Sequence, residues 1–164
     1  MFYPSRILLS LFFLFFTVFA FSQAMLHGRV IRVADGDTIT LLDSLNQQHR
    51  VRLHGIDSPE KGQDFYQVAR QFSNSFCFQQ WVRVEVLDYD RYQRAIGKVY
   101  VGEQELNLAL LKSGLAWHYL QFDRSESYAA AEAEAQLYQR GLWANPTRIA
   151  PWEFRKLKRR KVSP

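Results

Sequence analysis

Asp35-Gly36-Asp37-Thr38 and Arg52-Leu53-His54-Gly55-Ile56-Asp57-Ser58-Pro59-Glu60 put several carboxylates and an arginine close together along the chain. Carboxylates that crowd repel one another unless a hard cation joins them, and an oxygen-only ligand set suits Ca²⁺ or Mg²⁺. A guanidinium beside such a cation has a phosphate as its natural target, because its planar fork donates two hydrogen bonds at once. The chemistry these residue types suggest is metal-assisted cleavage of a phosphodiester. Each run alone has a blander explanation. Asp35-Gly36 is a common hairpin turn, Pro59-Glu60 a common approach to a helix, and a strand arginine is commonly solvated. The pattern gains its meaning from the combination, with a further arginine, Arg94, in a polar loop downstream.

The spacing predicts the elements that would hold these groups. Residues 26–33 and 38–42 read as β-branched strands joined across Asp35-Gly36, a favoured tight-turn dipeptide. A third strand over 49–55 alternates Val51 and Leu53 with Arg50, Arg52 and His54, so its charged residues face away from the core. Ser58-Pro59 turns the chain into a helix over 64–78, with Asp64 as its expected cap and Phe65, Val68, Ala69, Phe72 and Phe76 on one face. Strands over 82–88 and 95–101 flank the polar loop Asp88 to Arg94. Helices follow over 104–113, ending at Gly114, and over 125–140, ending at Gly141. Three strands, a helix, two strands and then helices make an α+β layout, and a five-stranded Greek-key barrel of the OB type fits that order with about three helices packed on it.

Bulk properties narrow the setting. Of 164 residues, Met1 to Arg6 carry one cation, Ile7 to Phe21 are apolar apart from Ser10 and Thr17, and small residues stand at Ala20 and Ala24. Residues 1–24 therefore read as a secretory signal cleaved after Ala20 or Ala24, too short an apolar run for the roughly 20 residues that span a bilayer. A retained membrane anchor is the alternative. The remainder divides into one domain, 25–152, and a basic tail, 153–164. Export to a periplasm or to the medium is the expected localisation. The net charge of +5 belongs mainly to Arg155, Lys156, Lys158, Arg159, Arg160 and Lys161, since residues 25–154 carry 14 Lys and Arg against 16 Asp and Glu. Such a run is commonly a solvated end, and contact with a polyanion is the sharper alternative. Cys77, the single cysteine, excludes an internal disulfide, and its neighbours Phe72, Phe76 and Phe78 mark it as a buried apolar residue. His27, His49, His54 and His118 have no metal-ligand spacing, which argues against zinc or histidine-based chemistry, although His54 shares a face with Arg52.

Five ordered motifs resemble the staphylococcal nuclease (thermonuclease) family over residues 26–145. They are Asp35-Gly36-Asp37-Thr38; Arg52-Leu53 followed by Asp57-Ser58-Pro59-Glu60; Asp90-Arg91-Tyr92-Gln93-Arg94; Gly114-Leu115-Ala116; and Gly141-Leu142-Trp143. The resemblance implies an OB barrel and a Ca²⁺-dependent nuclease acting on DNA and RNA as partners, working as a monomer with no obligate protein partner. By matched position it implies Asp37, Asp57 and the Ser58 carbonyl as Ca²⁺ ligands, Glu60 as general base, and Arg52 and Arg94 as the phosphate-binding, transition-state-stabilising pair. Asp35 takes a supporting place in the turn. Tyr92 and Tyr119 are the implied substrate contacts. Two positions depart from the family: Gln93 stands where glycine is usual, which matters if the turn needs positive φ, and Leu120 falls on a tyrosine position, leaving Tyr119 and Phe122 beside it. A different class, a non-catalytic OB module binding nucleic acid or protein, is the alternative, and the retention of Asp37, Arg52, Asp57, Glu60 and Arg94 argues against it.

Overall fold

The computed structural model describes residues 24–162, so the expected secretory signal lies, up to residue 23, outside the described residues. Branched apolar residues at alternate positions draw the chain into strands, whose pleat sends every second side chain inward. These are β1 (Ala24–Asp35), β2 (Thr38–Leu42) and β3 (Gln48–Leu53). A two-residue strand β4 (Ile56–Asp57) leads to helix α1 (Tyr66–Cys77), then β5 (Trp81–Tyr89) and β6 (Ala95–Val101). The short β7 (Gln104–Glu105) runs into α2 (Leu106–Lys112), followed by β8 (Trp117–His118), α3 (Glu126–Leu137), a 3₁₀ turn at Gly141–Ala144, and α4 (Pro151–Val162).

Antiparallel ladders run β3-β2-β1-β5-β6, and β3 then pairs in parallel with β6, from Val51 opposite Ala95 to Leu53 opposite Gly97. That pairing closes a five-stranded barrel, the α+β, OB-type architecture that the strand pattern predicts. Val30, Ile39, Leu41, Val51, Val84 and Val99 fill it and are sealed from solvent. Leu106, Leu110 and Leu111 of α2 and Ala69 of α1 extend this core, with Tyr128 and Ala131 of α3 packed on it. Asn107, buried on α2, is fully used: its Nδ2 donates to the His54 carbonyl at 2.9 Å and its Oδ1 accepts from the Val99 amide at 3.1 Å. This ties the chain just after β3 to β6 where the barrel closes.

Two local expectations are corrected. Asp64 does not cap α1: Phe65 occupies that position in the left-handed region at φ 64°, with no side-chain cap. The Asp64 carboxylate instead accepts from Asn145 Nδ2 at 2.9 Å, a long-range tie that no local pattern reveals. The basic run is helical, forming the greater part of α4; Lys156, Lys158, Arg159 and Arg160 are exposed, as expected of a solvated end, but Arg155 turns inward. Pro151 opens that helix with a φ already suited to it, and Glu153 lies in its first turn where the dipole favours an anion.

Cys77 is buried, its Sγ donating to the Ser73 carbonyl at 3.0 Å, and burial pushes its thiol up to about 12. Thiolate is the reactive form, so a raised pKa lowers the reactive fraction at every pH below that value. Labelling by a water-soluble thiol reagent is therefore expected only after unfolding, across pH 7 to 10. Prompt labelling of the native protein would contradict the burial.

Candidate active site

The acidic turn between β1 and β2 is clamped from three sides. Asp35 Oδ1 accepts from the Asp37 amide at 3.2 Å, Ser73 Oγ of α1 donates to the Gly36 carbonyl at 2.6 Å, and the Leu53 amide donates to the Asp37 carbonyl at 2.9 Å. Glycine is required here by space: a Cβ on Gly36 would stand 2.8 Å from the Ser58 side chain and 2.9 Å from Ala69. The turn thus lies flat against the segment carrying Asp57 and Ser58. That segment is itself held by pairing of β4 with β8, Asp57 opposite Trp117, and by the Tyr119 amide donating to the Gly55 carbonyl at 2.8 Å.

These constraints bring the predicted residues together. Asp37 and Asp57 are buried, the latter with 1% of its side chain exposed. Arg52 bridges them, one guanidinium nitrogen on Asp37 Oδ1 and the other 2.6 Å from Asp57 Oδ1. The Ser58 amide donates to Asp37 Oδ2 at 2.6 Å. Glu60 lies at the rim, and beside it is a cleft of about 90 Å³ lined by Asp35, Asp37, Arg52, Ser58, Glu60 and Lys61. Burial pushes the Asp37 carboxyl up to about 6 against the pull of Arg52. Burial also opposes the charge on Arg52, but Asp37 and Asp57 outweigh it and hold the guanidinium above its usual pKa.

Arg94 does not touch these carboxylates. It shares with Arg52 the wall of a neighbouring cavity of about 560 Å³, whose lining also includes His54, Tyr119 and Phe122. Its loop is built by Asp90, which accepts the Tyr92 and Arg94 amides at 2.8 and 2.9 Å and the Arg94 Nε at 2.6 Å. Those hydrogen bonds overcome desolvation and hold Asp90 below the ordinary carboxylate range. Gln93 completes the turn at φ 60°, so the position does require the left-handed conformation that glycine adopts freely. Tyr92 is 63% exposed and lies outside this cavity, with Arg91 Nη2 donating to its hydroxyl at 2.7 Å. Tyr119 lines the cavity, edge to face with Phe122 at 4.8 Å. His54 and His118 converge on Asp123 at 3.6 and 3.0 Å, a structural contact rather than a metal site.

The residue that the motifs did not reveal is Arg155. From α4 it reaches back to Asp57 Oδ2 at 2.8 Å, Asp57 Oδ1 at 3.2 Å and Glu60 Oε1 at 2.6 Å. Trp152, one turn earlier, stacks on Tyr119 at 4.9 Å and 11°. The helical spacing of Trp152 and Arg155 after Pro151 was the available signal, masked by the basic run that follows.

Among the described residues, no three or more histidine, cysteine or acidic side chains converge as a metal cage. The donor set expected from the motifs is smaller: two carboxylates, a carbonyl and water. Its donors are all oxygen, which suits a hard divalent cation; in this structure the same carboxylates are paired with two guanidinium groups.

The family described as "Staphylococcal nuclease homologue" matches residues 50–145, which include Arg52, Asp57, Glu60 and Arg94. An "Uncharacterized endonuclease" of Haemophilus influenzae is 39% identical over 152 residues, covering 92% of this chain and 85% of that protein. A "Micrococcal nuclease" of Shigella flexneri is 37% identical over 142 residues, covering 79% and 80%. An "Uncharacterized endonuclease" of Escherichia coli O157:H7 is 37% identical over 133 residues, covering 80% and 86%. A closed OB barrel carrying this constellation, with relatives of this kind along its length, is a nuclease-type hydrolase. The chain belongs to the staphylococcal nuclease family.

The strained turn gives a direct test. A left-handed L-residue costs roughly 1–2 kcal/mol, offset in glycine by about 0.4–1 kcal/mol of greater unfolded-chain entropy. Gln93→Gly is expected to stabilise the fold by up to about 1 kcal/mol in urea unfolding. A clear loss of stability would show that the Gln93 side chain holds the loop.

Proposed function

We propose that the protein is an exported, Ca²⁺-dependent nuclease that hydrolyses phosphodiester bonds of DNA and RNA with little sequence preference. The observation that supports this most is the bridge from Arg52 to both Asp37 and Asp57 beside the Glu60 carboxylate. Asp37, Asp57 and the Ser58 carbonyl would hold the cation, which when bound supplies charge neutralisation to a phosphate that otherwise repels a nucleophile.

In this reading Glu60 accepts a proton from water as the water oxygen bonds to phosphorus. The bond from phosphorus to the sugar 5′-oxygen breaks in line, that oxygen leaves with the electron pair and takes up a proton, and a 3′-phosphate and a 5′-hydroxyl result. Arg52 and Arg94 neutralise the non-bridging oxygens as their charge grows, two planar donors approaching from different walls. Arg52 is preorganised by its two carboxylates and Arg94 by Asp90. Tyr119 and Phe122 offer faces on which any base can stack, which suits broad specificity. Tyr92, exposed outside the cavity, would meet a neighbouring stretch of backbone. Export rests on the signal-like residues 1–24.

Denatured DNA should be cut with Ca²⁺ and spared with a chelator. Glu60→Gln is expected to lower turnover by roughly 10²–10⁴. Arg52→Lys and Arg94→Ala should each cost on the order of 10²–10³, with folding checked by circular dichroism. Near-normal turnover in folded Glu60→Gln would remove the assigned base.

A further inference from the structure

We infer that α4 is a latch over the active site, in which Arg155 takes the place of the cation and the stack of Trp152 on Tyr119 holds the helix down. The inference rests on the proposed nuclease reading, because it gives Asp57 and Glu60 their value as targets. Nothing in the motifs requires a helix here, yet Arg155, one of the side chains it turns inward, lands on the carboxylates of the site.

Arg155 engages both oxygens of Asp57 and one of Glu60. Asp57 Oδ1 already accepts Arg52, so no oxygen of Asp57 is left without a guanidinium donor. A Ca²⁺ ion needs carboxylate oxygens at about 2.3–2.6 Å, and a second positive charge hydrogen-bonded to the same oxygen competes with it directly. The Glu60 oxygen that Arg155 occupies is equally withheld from a water proton. With one side chain Arg155 therefore competes with the cation at Asp57 and engages one oxygen of Glu60.

Trp152 anchors the helix beside the site. Its near-parallel stack on Tyr119 holds α4 against a residue that also lines the 560 Å³ cavity, while Trp152 itself lies outside that lining. Trp152 and Arg155 are three residues apart, neighbours on one helix face, so both contacts form and break together. The approach to the helix is tethered separately. Gln63 Nε2 donates to the Ile149 carbonyl at 2.7 Å, and Asn145 Nδ2 donates to Asp64. These ties lie before Pro151, so they can hold while the helix lifts, a motion that also has to free the buried Pro151 and the half-buried Phe154. Lys156, Lys158, Arg159 and Arg160 are exposed in the closed form, and lifting would add Arg155 to a cationic helix beside a polyanionic substrate.

Calcium binding to the full chain, without nucleic acid, separates this latch from its rivals. By isothermal titration calorimetry, Arg155→Ala and, as a second disruption of the same face, Trp152→Ala are expected to tighten Ca²⁺ on the order of tenfold, within the usual range for coupled sites. Hydrogen exchange across residues 151–160 of the wild-type chain should accelerate when Ca²⁺ is added. Unchanged Ca²⁺ affinity in both folded variants, or exchange indifferent to Ca²⁺, overturns the latch while leaving Ca²⁺-dependent cutting intact. A large fall in turnover for Arg155→Ala without tighter Ca²⁺ also overturns it, and makes Arg155 a substrate-binding residue. A wild-type chain that neither binds Ca²⁺ nor cuts refutes the nuclease reading itself.

Discussion

Two carboxylates, Asp37 and Asp57, are buried side by side, and the structure can keep them there only by surrounding them with positive charge. Removing ionised oxygens from water is expensive, and mutual repulsion adds to it unless a cation and close hydrogen bonds compensate. Arg52 supplies the first compensation from within the barrel wall, and its position follows from the ladder that sets it opposite Thr38. Arg155 supplies the second from the far end of the chain. Burial, with Asp35 nearby, still holds the Asp37 carboxyl above its ordinary range despite Arg52.

This demand for positive charge links fold to function. Closure of β3 onto β6 places Arg52 beside Ile96 in the sheet and brings the Arg94 loop to the same end of the barrel. The small pairing of β4 with β8 sets Asp57 and Tyr119 on neighbouring stretches, so one local element serves both the charged cleft and the aromatic wall. Asn107, reaching from α2 to the His54 carbonyl, keeps that corner from opening. On the proposed reading, a phosphate would lie between the two guanidiniums that share this cavity wall, and a base against its aromatic faces.

Much of this was legible in the sequence because the signals were local and physical. Alternating valines and isoleucines marked the barrel strands, and β6 matched its predicted bounds, 95–101. The acidic turn and the Arg52 to Glu60 run announced carboxylates and a guanidinium in register, and those residues do converge. What was not legible depended on distant contacts. Asp64 looked like a cap until Asn145 claimed it. α4 was hidden for a different reason. Six cations in seven residues suggest a solvated end, and only folding reveals that the first of them faces two carboxylates more than 90 residues earlier.

The central claim is that this acidic pair is a cation site, held by guanidinium when the metal is absent. Anomalous diffraction from crystals grown with Ca²⁺ tests it most directly. The account predicts a single strong peak about 2.3–2.6 Å from oxygens of both Asp37 and Asp57, with Arg155 withdrawn from Asp57. Absence of a peak there at saturating Ca²⁺, or a peak elsewhere with Arg155 still seated, would contradict it.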